Sequence, residues 1–301
     1  MKKLLKWGII STLVLSVIGF AVTYKVYSDM KNTADQLYTP TKYERSDMRE
    51  APVNVASAEP FSALILGVDE RDGDSGRSDT MIVLTVNPTL KTTKLLSIPR
   101  DTYTEIIGEG LKDKINHAYA FGGIEMSMKT VENLLDIPID YVARVNMESF
   151  TDIIDIVGGI SVNNALAFDY DGERFPIGEI ELDGETALKF VRMRYEDPNG
   201  DFGRQNRQKQ VIQGVLREAT SVGAVLNYKS IFETLEDNVQ INVVFDELLN
   251  ISKNYGSSFK TIEQIYLNNG SSSIMNGIYY YIPNEQELQG IQDELREHLG
   301  I

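Results

Sequence analysis

The sequence predicts an α/β protein: one layered α-β-α domain around a mixed central sheet, preceded by one N-terminal transmembrane helix. Three observations predict it. Short, β-rich apolar runs, "FSALILGV" (61–68), "TMIVLTV" (80–86) and "KLLSI" (94–98), read as strands. Beyond them, helix-like and strand-like patterns alternate, as they do where helices cover a sheet. At the N-terminus, the stretch from Trp7 to Tyr24 is uncharged for 18 residues, just long enough to span a hydrocarbon core.

The N-terminal elements follow from charge. Lys2, Lys3 and Lys6 precede the apolar stretch, which keeps the N-terminus in the cytoplasm. A cleaved signal peptide is the competing reading, but no good small-x-small cleavage site follows, so an uncleaved anchor is favoured. The organisation is a cytoplasmic tail (1–6), an anchor (7–24), an extracytoplasmic stalk (25–60) and a single domain (61–301). The stalk is polar, contains Pro40, Pro52 and Pro60, and has little apolar periodicity.

The three strands share one edge. "NPTLKTT" is turn-like, so the second and third runs pair antiparallel. If the first also pairs antiparallel with the second, Asp69 leaves at the edge where Asp79 enters. The third run is then parallel to the first and delivers "PRD" there too. Two carboxylates and Arg100 at one edge can hold a divalent cation and a phosphate group together. The alternative stays open that Arg100 simply ion-pairs with the acids. Glu70, Arg71, Asp72 and Asp74 read as a solvated loop.

A second cluster lies in "LDGETALKFVRMRYEDPNGDFGRQNRQKQVIQGVLREAT" (182–220). Asp183 caps a short helix through "ETALKF". Arg192 and Arg194 share a face if the segment is extended, which requires the helix to end near Phe190. After the turn "DPNG", a long helix starts at Asp201 or Gly203. Arg204, Gln208 and Val211 form one stripe on it, with Arg207 beside them. A helix N-terminus carrying arginines suits an anion. A basic patch pairing with surplus acids is the bland alternative.

Between the clusters, His117 reads as a helix-start residue and Lys114 as a further cation. "GGIEMSMKTVENLLD", "IDYVARVN", "MESFTDIIDIVGG" and "ISV" read as helix, strand, helix and strand. From about residue 225 the pattern gives helices and one β-like stretch, "GIYYYIP", with no chemistry evident.

Composition removes whole classes of mechanism. The 29 basic and 44 acidic residues give a net charge of −15, which excludes bulk nucleic-acid binding. There is no cysteine, so no disulfide, thiolate nucleophile or cysteine-ligated metal. His117 and His298 are the only histidines, which nearly excludes a histidine-rich zinc site. Hard oxygen ligands remain.

In order along the chain come "LILGVDER", "GRSDTMIVLTVN", "LLSIPRDTY", "KINHAYAFGG", "DYVARVNMESF", "DIVGGI", "LDGETALKFVRMRY" and "DFGRQNRQKQVI". This ordered set, covering roughly Phe61 to Thr220, resembles the LytR-CpsA-Psr family of Gram-positive cell-envelope enzymes, and within it the Bacillus-type teichoic-acid transferases. The resemblance implies a transferase. It would move a glycopolymer, such as wall teichoic acid, from a polyprenyl-pyrophosphate carrier to N-acetylmuramic acid of peptidoglycan, forming a phosphodiester. It also implies that Asp69 and Asp79 bind Mg²⁺, with Mn²⁺ as the alternative ion. Arg77, Arg100, Lys114, Arg192, Arg194, Arg204 and Gln208 would surround the pyrophosphate. Arg100, Arg192, Arg194 and Asp201 would act in catalysis, Asp201 by supporting the arginines, and an apolar tunnel would hold the prenyl chain. The loop 69–79 varies in length across the family. Such chemistry needs no covalent enzyme intermediate. The general base stays open between Asp101 and Asp79. Two other readings use the same residues: a pyrophosphatase acting on the lipid carrier, and a non-catalytic lipid- or wall-binding regulator.

Overall fold

The first two strands, β1 (Phe61–Arg71) and β2 (Asp74–Asn87), pair antiparallel along nearly their whole length. The computed structural model describes residues 28, 31–32, 38, 46–71, 74–194, 196–219 and 239–301. The expected anchor over 7–24 lies outside them. Among the described residues no helix is long and apolar enough to cross a membrane.

β2 pairs antiparallel with β3 (Thr92–Ser97), and β1 pairs parallel with β6 (Tyr141–Asn146). Two strands from the C-terminal third complete the mixed sheet: β11 (Val239–Ile241) beside β6, and β12 (Ile262–Tyr266) beside β3. Its order is β11-β6-β1-β2-β3-β12, and outside it β7 (Ile160–Asn164) pairs with β10 (Gly178–Leu182) and β8 (Phe168–Tyr170) with β9 (Glu173–Phe175). The sequence pattern showed only one β-like stretch in that third, so the two edge strands are a correction. That stretch is β14 (Ile278–Ile282), which instead pairs with β13 (Ser271–Met275) in a separate hairpin.

Side chains alternate along the strands and divide the core in two. Leu64, Leu66, Val68, Met81 and Val83 face helices α1 (His117–Leu135) and α6 (Glu285–Leu299). α1 is broken at Gly122 and Gly123, and the φ of 64° at Gly123 lies in the left-handed region that favours glycine. On the other face, Ile65, Ile82, Leu84 and Leu95 meet Ile212 and Leu216 of α4 (Asp201–Ala219). Alongside α4 lie α2 (Met147–Ile156) and α3 (Gly184–Arg192). The α-β-α layering expected from the sequence is present.

Local signals account for the helix starts. The Asn146 side chain accepts from the Ser149 amide, Asp183 accepts from Thr186 in a reciprocal capping box, and Asn284 accepts from Glu287. A further helix, α5 (Phe245–Tyr255), packs its Phe245 and Tyr255 inward.

The sequence reading runs the stalk to residue 60. In the structure its last part belongs to the domain. Ser46 and Val55 are buried, and Val55 joins a cluster with Phe61, Val86 and Tyr255. Arg49 forks onto Asp140 at 2.5 and 2.7 Å.

Candidate active site

The strand edge assembles the first cluster. Thr80 partners Gly67 and Ser78 partners Val68, which leaves Asp79 as the extra residue of a β-bulge. A bulge bends its strand and re-aims a side chain. Asp69 lies one step away in the same ladder, opposite Arg77, which is exposed. The strands continue into the expected solvated loop, taking in Glu70, Arg71 and Asp74, with Arg71 opposite Asp74.

β3 ends at Ser97, and "PRDT" folds into a turn in which Thr102 donates from both its amide and its hydroxyl to the Pro99 carbonyl. That turn presents Arg100, whose Nη1 donates to Asp79 Oδ1 at 2.8 Å. The hairpin of β4 (Tyr103–Ile106) and β5 (Leu111–Lys114) then brings Lys114 back opposite Tyr103. Its Nζ donates to Asp101 Oδ1 at 2.6 Å. His117 begins α1 and pairs with Asp113, so it takes a local part. The C-terminal third does support the site: the Tyr281 amide donates to the Asp101 carbonyl.

The second cluster hangs on α4. Arg204 Nη2 lies 2.7 Å and Arg194 Nε 3.6 Å from Asp201 Oδ1, while Gln205 donates to Asp201 Oδ2 at 3.0 Å. α3 runs to Arg192, two residues beyond the expected end, and Met193 terminates it with φ −57° and ψ 131°. Val191 and Met193 are still buried while Arg192 is exposed and Arg194 half-buried, so the expected division of faces holds with a later stop.

What makes this possible is a residue the sequence reading did not single out. Asp197 is buried and pairs with Arg207 at 2.5 Å. Arg207 also donates to the carbonyls of Phe190 and Met193. It therefore clamps the segment that carries Arg192 and Arg194 onto α4. A Cβ on Gly203 would overlap the Asp197 carboxylate, which explains glycine there.

The two clusters share one electrostatic field. Burial opposes the charge of Arg100, yet Asp79, Asp101 and Asp201 hold its guanidinium above the ordinary arginine range. Arg204 is pushed the other way: burial, with Arg100 and Arg194 nearby, outweighs Asp201 and Asp79. Cations thus crowd beyond what the local acids neutralise, in a protein of net charge −15. That imbalance suits an anionic ligand.

Next to this charged region is an apolar cavity of about 190 Å³. It lies between the sheet and helices α2–α4, walled by Ile65, Val145, Phe150, Leu188, Val211 and Val215 among others, with Gln208, Asn146 and Thr80 as its polar edge. Arg204, Gln208, Val211 and Val215 follow successive turns of α4, so one helix runs from charge to hydrocarbon.

An arginine-rich edge joined to an apolar cavity defines a class of protein that binds amphiphilic anions. The model of the LytR_cpsA_psr family matches residues 21–297, and the chain belongs to this family. It is 47% identical over 295 residues to the polyisoprenyl-teichoic acid–peptidoglycan teichoic acid transferase TagU of Bacillus licheniformis, spanning 97% of this chain and 94% of that protein. The crystal structure of B. subtilis TagU matches at 48% identity and a TM-score of 0.65, over 80% of this chain and 97% of that one. TagT with bound octaprenyl pyrophosphate matches at 31% identity and a TM-score of 0.70, over 87% and 99%.

Proposed function

We propose that the chain is a membrane-anchored transferase. It moves an anionic glycopolymer, a wall teichoic acid, from a polyprenyl-pyrophosphate carrier to peptidoglycan. The observation that carries this is the continuity along α4 from Asp201, Arg204 and Gln208 to the apolar cavity. A prenyl chain fits the cavity by its chemistry, and the pyrophosphate beside it meets the arginines. The names of the TagU relatives and the lipid bound to TagT support the same reading.

In the reaction, a hydroxyl oxygen of muramic acid attacks the polymer-side phosphorus. The bond from that phosphorus to the bridging oxygen breaks, polyprenyl phosphate leaves, and a phosphodiester remains. Arg100, Arg192, Arg194 and Arg204, with Lys114, bind the pyrophosphate and offset the charge that builds on the leaving phosphate. Arg77 serves the same anion from the β2 side. Asp201 holds Arg194 and Arg204 in place. The hydroxyl proton passes to a carboxylate, with Asp101 and Asp79 the two candidates; Asp101 is already tethered to Lys114.

Asp69 and Asp79 would hold Mg²⁺, or Mn²⁺ in its place. The donor set fits a hard cation. Among the described residues no group of three or more histidine, cysteine or acidic side chains converges on a metal. Mg²⁺ suits such a site because it commonly takes one or two carboxylates plus substrate oxygens and water. When bound, it would supply further neutralisation of the pyrophosphate. The anchor over 7–24 would place the domain on the outer face of the cell membrane.

The test uses purified protein in detergent with lipid-linked polymer, peptidoglycan and Mg²⁺. Polymer bound covalently to peptidoglycan is expected. Free polymer phosphate alone would mean a pyrophosphatase, and bound lipid without turnover would mean a non-catalytic binder. Arg100→Ala should lower the transfer rate by about 10²- to 10³-fold; an unchanged rate removes Arg100 from the site.

A further inference from the structure

α4 lies across the sheet, and a second cavity opens on its other flank. This one, about 330 Å³, sits between α4 and the β3–β12 edge. Its lining is mostly polar: Ser97, Gln205, Asn206, Tyr266 and Asn268 share it with Lys209, and Phe202 and Leu267 supply its apolar part. Lys209 is 2% exposed. Its Nζ has a long 3.4 Å bond to the Ile265 carbonyl and stands 3.7 Å from the centre of the Tyr266 ring. No acidic residue is among those lining the cavity. Burial alone pushes this amine down to about 8, so it stays largely protonated at neutral pH. A buried cation without an acid is unfavourable unless something anionic joins it. A second group points the same way. The Ser97 hydroxyl is buried and has no hydrogen-bond partner among the described residues. Amide side chains and a hydroxyl around one cation match a ligand rich in hydroxyl groups and bearing one negative charge.

We infer that this cavity is a binding site for a hydroxyl-rich group carrying one negative charge, seated beside the reaction centre. Gln205 connects the two places, because it lines the cavity and donates to Asp201, which holds Arg194 and Arg204. Resting on the transferase reading, the site grips part of one glycopolymer. Two sources share the required chemistry: a polyol-phosphate repeat of the donor, and a muramic acid of the acceptor whose lactyl carboxylate is not amide-linked to a stem peptide.

Binding is measured by calorimetry and by NMR line changes on the whole folded protein. The probes are glycerophosphoglycerol, whose phosphodiester carries one negative charge, N-acetylmuramic acid and uncharged N-acetylglucosamine. One of the two anionic probes is expected to bind, and which one identifies the source. Lys209→Met should weaken that binding about tenfold or more. It should also leave the melting temperature unchanged or higher, because an unpaired buried charge is gone. Asn206→Asp places a negative charge in the same cavity and should weaken the same probe by repulsion. Binding of polyprenyl pyrophosphate, followed by native mass spectrometry, should be unchanged in both variants. The inference is overturned if neither anionic probe binds, if the neutral sugar binds as well as they do, or if both variants bind like wild type. None of these readouts requires turnover, so failure of the transferase reading would appear separately, in the transfer assay.

Discussion

Two arginines one turn apart on α4, Arg204 and Arg207, each pair with an aspartate and do opposite things. Arg207 and Asp197 are both nearly inaccessible, with side-chain exposures of 6% and 3%. Arg207 spends its remaining donors on the carbonyls of Phe190 and Met193. One charge meets one charge, and the group is saturated. Arg204 and Asp201 are more open, and Asp201 serves Arg194 as well. There the cations outnumber the acid, and Arg204 is held below the ordinary arginine range by burial and by its like-charged neighbours. A matched, buried pair has nothing left to offer a ligand. A mismatched, half-open one gains from binding an anion. Charge balance and burial, more than residue type, separate the clamp from the binding group.

The largest expected effect tests the clamp. Arg207→Ala strips a buried carboxylate of its partner and orphans two carbonyls. Breaking a buried pair this way typically costs about 3–5 kcal/mol. Urea or guanidinium unfolding should show that loss, with the thermal midpoint falling in step. A loss below about 1 kcal/mol, the range of exposed pairs, would mean the clamp is ordinary surface electrostatics. Arg204→Met should behave the other way round. The methionine keeps apolar bulk while removing a charge that burial, with Arg100 and Arg194 nearby, already disfavours, so stability should hold or rise slightly. Transfer should fall by about 10²- to 10³-fold, as for loss of one charge-stabilising contact. A stability loss as large as that of Arg207→Ala would erase the distinction between the two pairs.

Much of the site was legible because strand geometry is rigid. Period-two patterning and one turn were enough to send Asp69, Asp79 and Arg100 to one edge; the β1–β2 register puts the two aspartates there, and the turn after β3 brings Arg100 onto Asp79. What the pattern could not foresee is the bulge that singles out Asp79, since one extra residue leaves no mark on composition. Asp197 was hidden for another reason. It sits in "YEDPNGD" among other acids, and only the folded turn after α3 decides which of them reaches Arg207. Lys209 was hidden in "RQNRQKQ", where a lysine reads as solvated surface. Its burial depends on β12, a five-residue edge strand from the C-terminal third. Short edge strands carry too few residues to show a period, so both β12 and the cavity it closes escape a sequence reading.

An exposed pair supplies the lower end of the comparison. Arg296, on α6, reaches Asp136 at 2.9 Å just past the end of α1, with side-chain exposures of 36% and 59%. Arg296 Nη1 also donates to the Asp136 carbonyl, so this pair too combines a carboxylate with a backbone oxygen, although from one nitrogen where Arg207 uses three. Exposure is the larger difference between them: water solvates either partner once the other is removed, and salt screens their attraction. Arg296→Met should therefore lower stability by about 0.5 kcal/mol or less, shrinking further at high salt, with transfer unaffected. A loss near that of Arg207→Ala would show that hydrogen-bond geometry, rather than burial and charge balance, sets the strength of these pairs. The α4 clamp and the α4 binding group would then need to be told apart on other grounds.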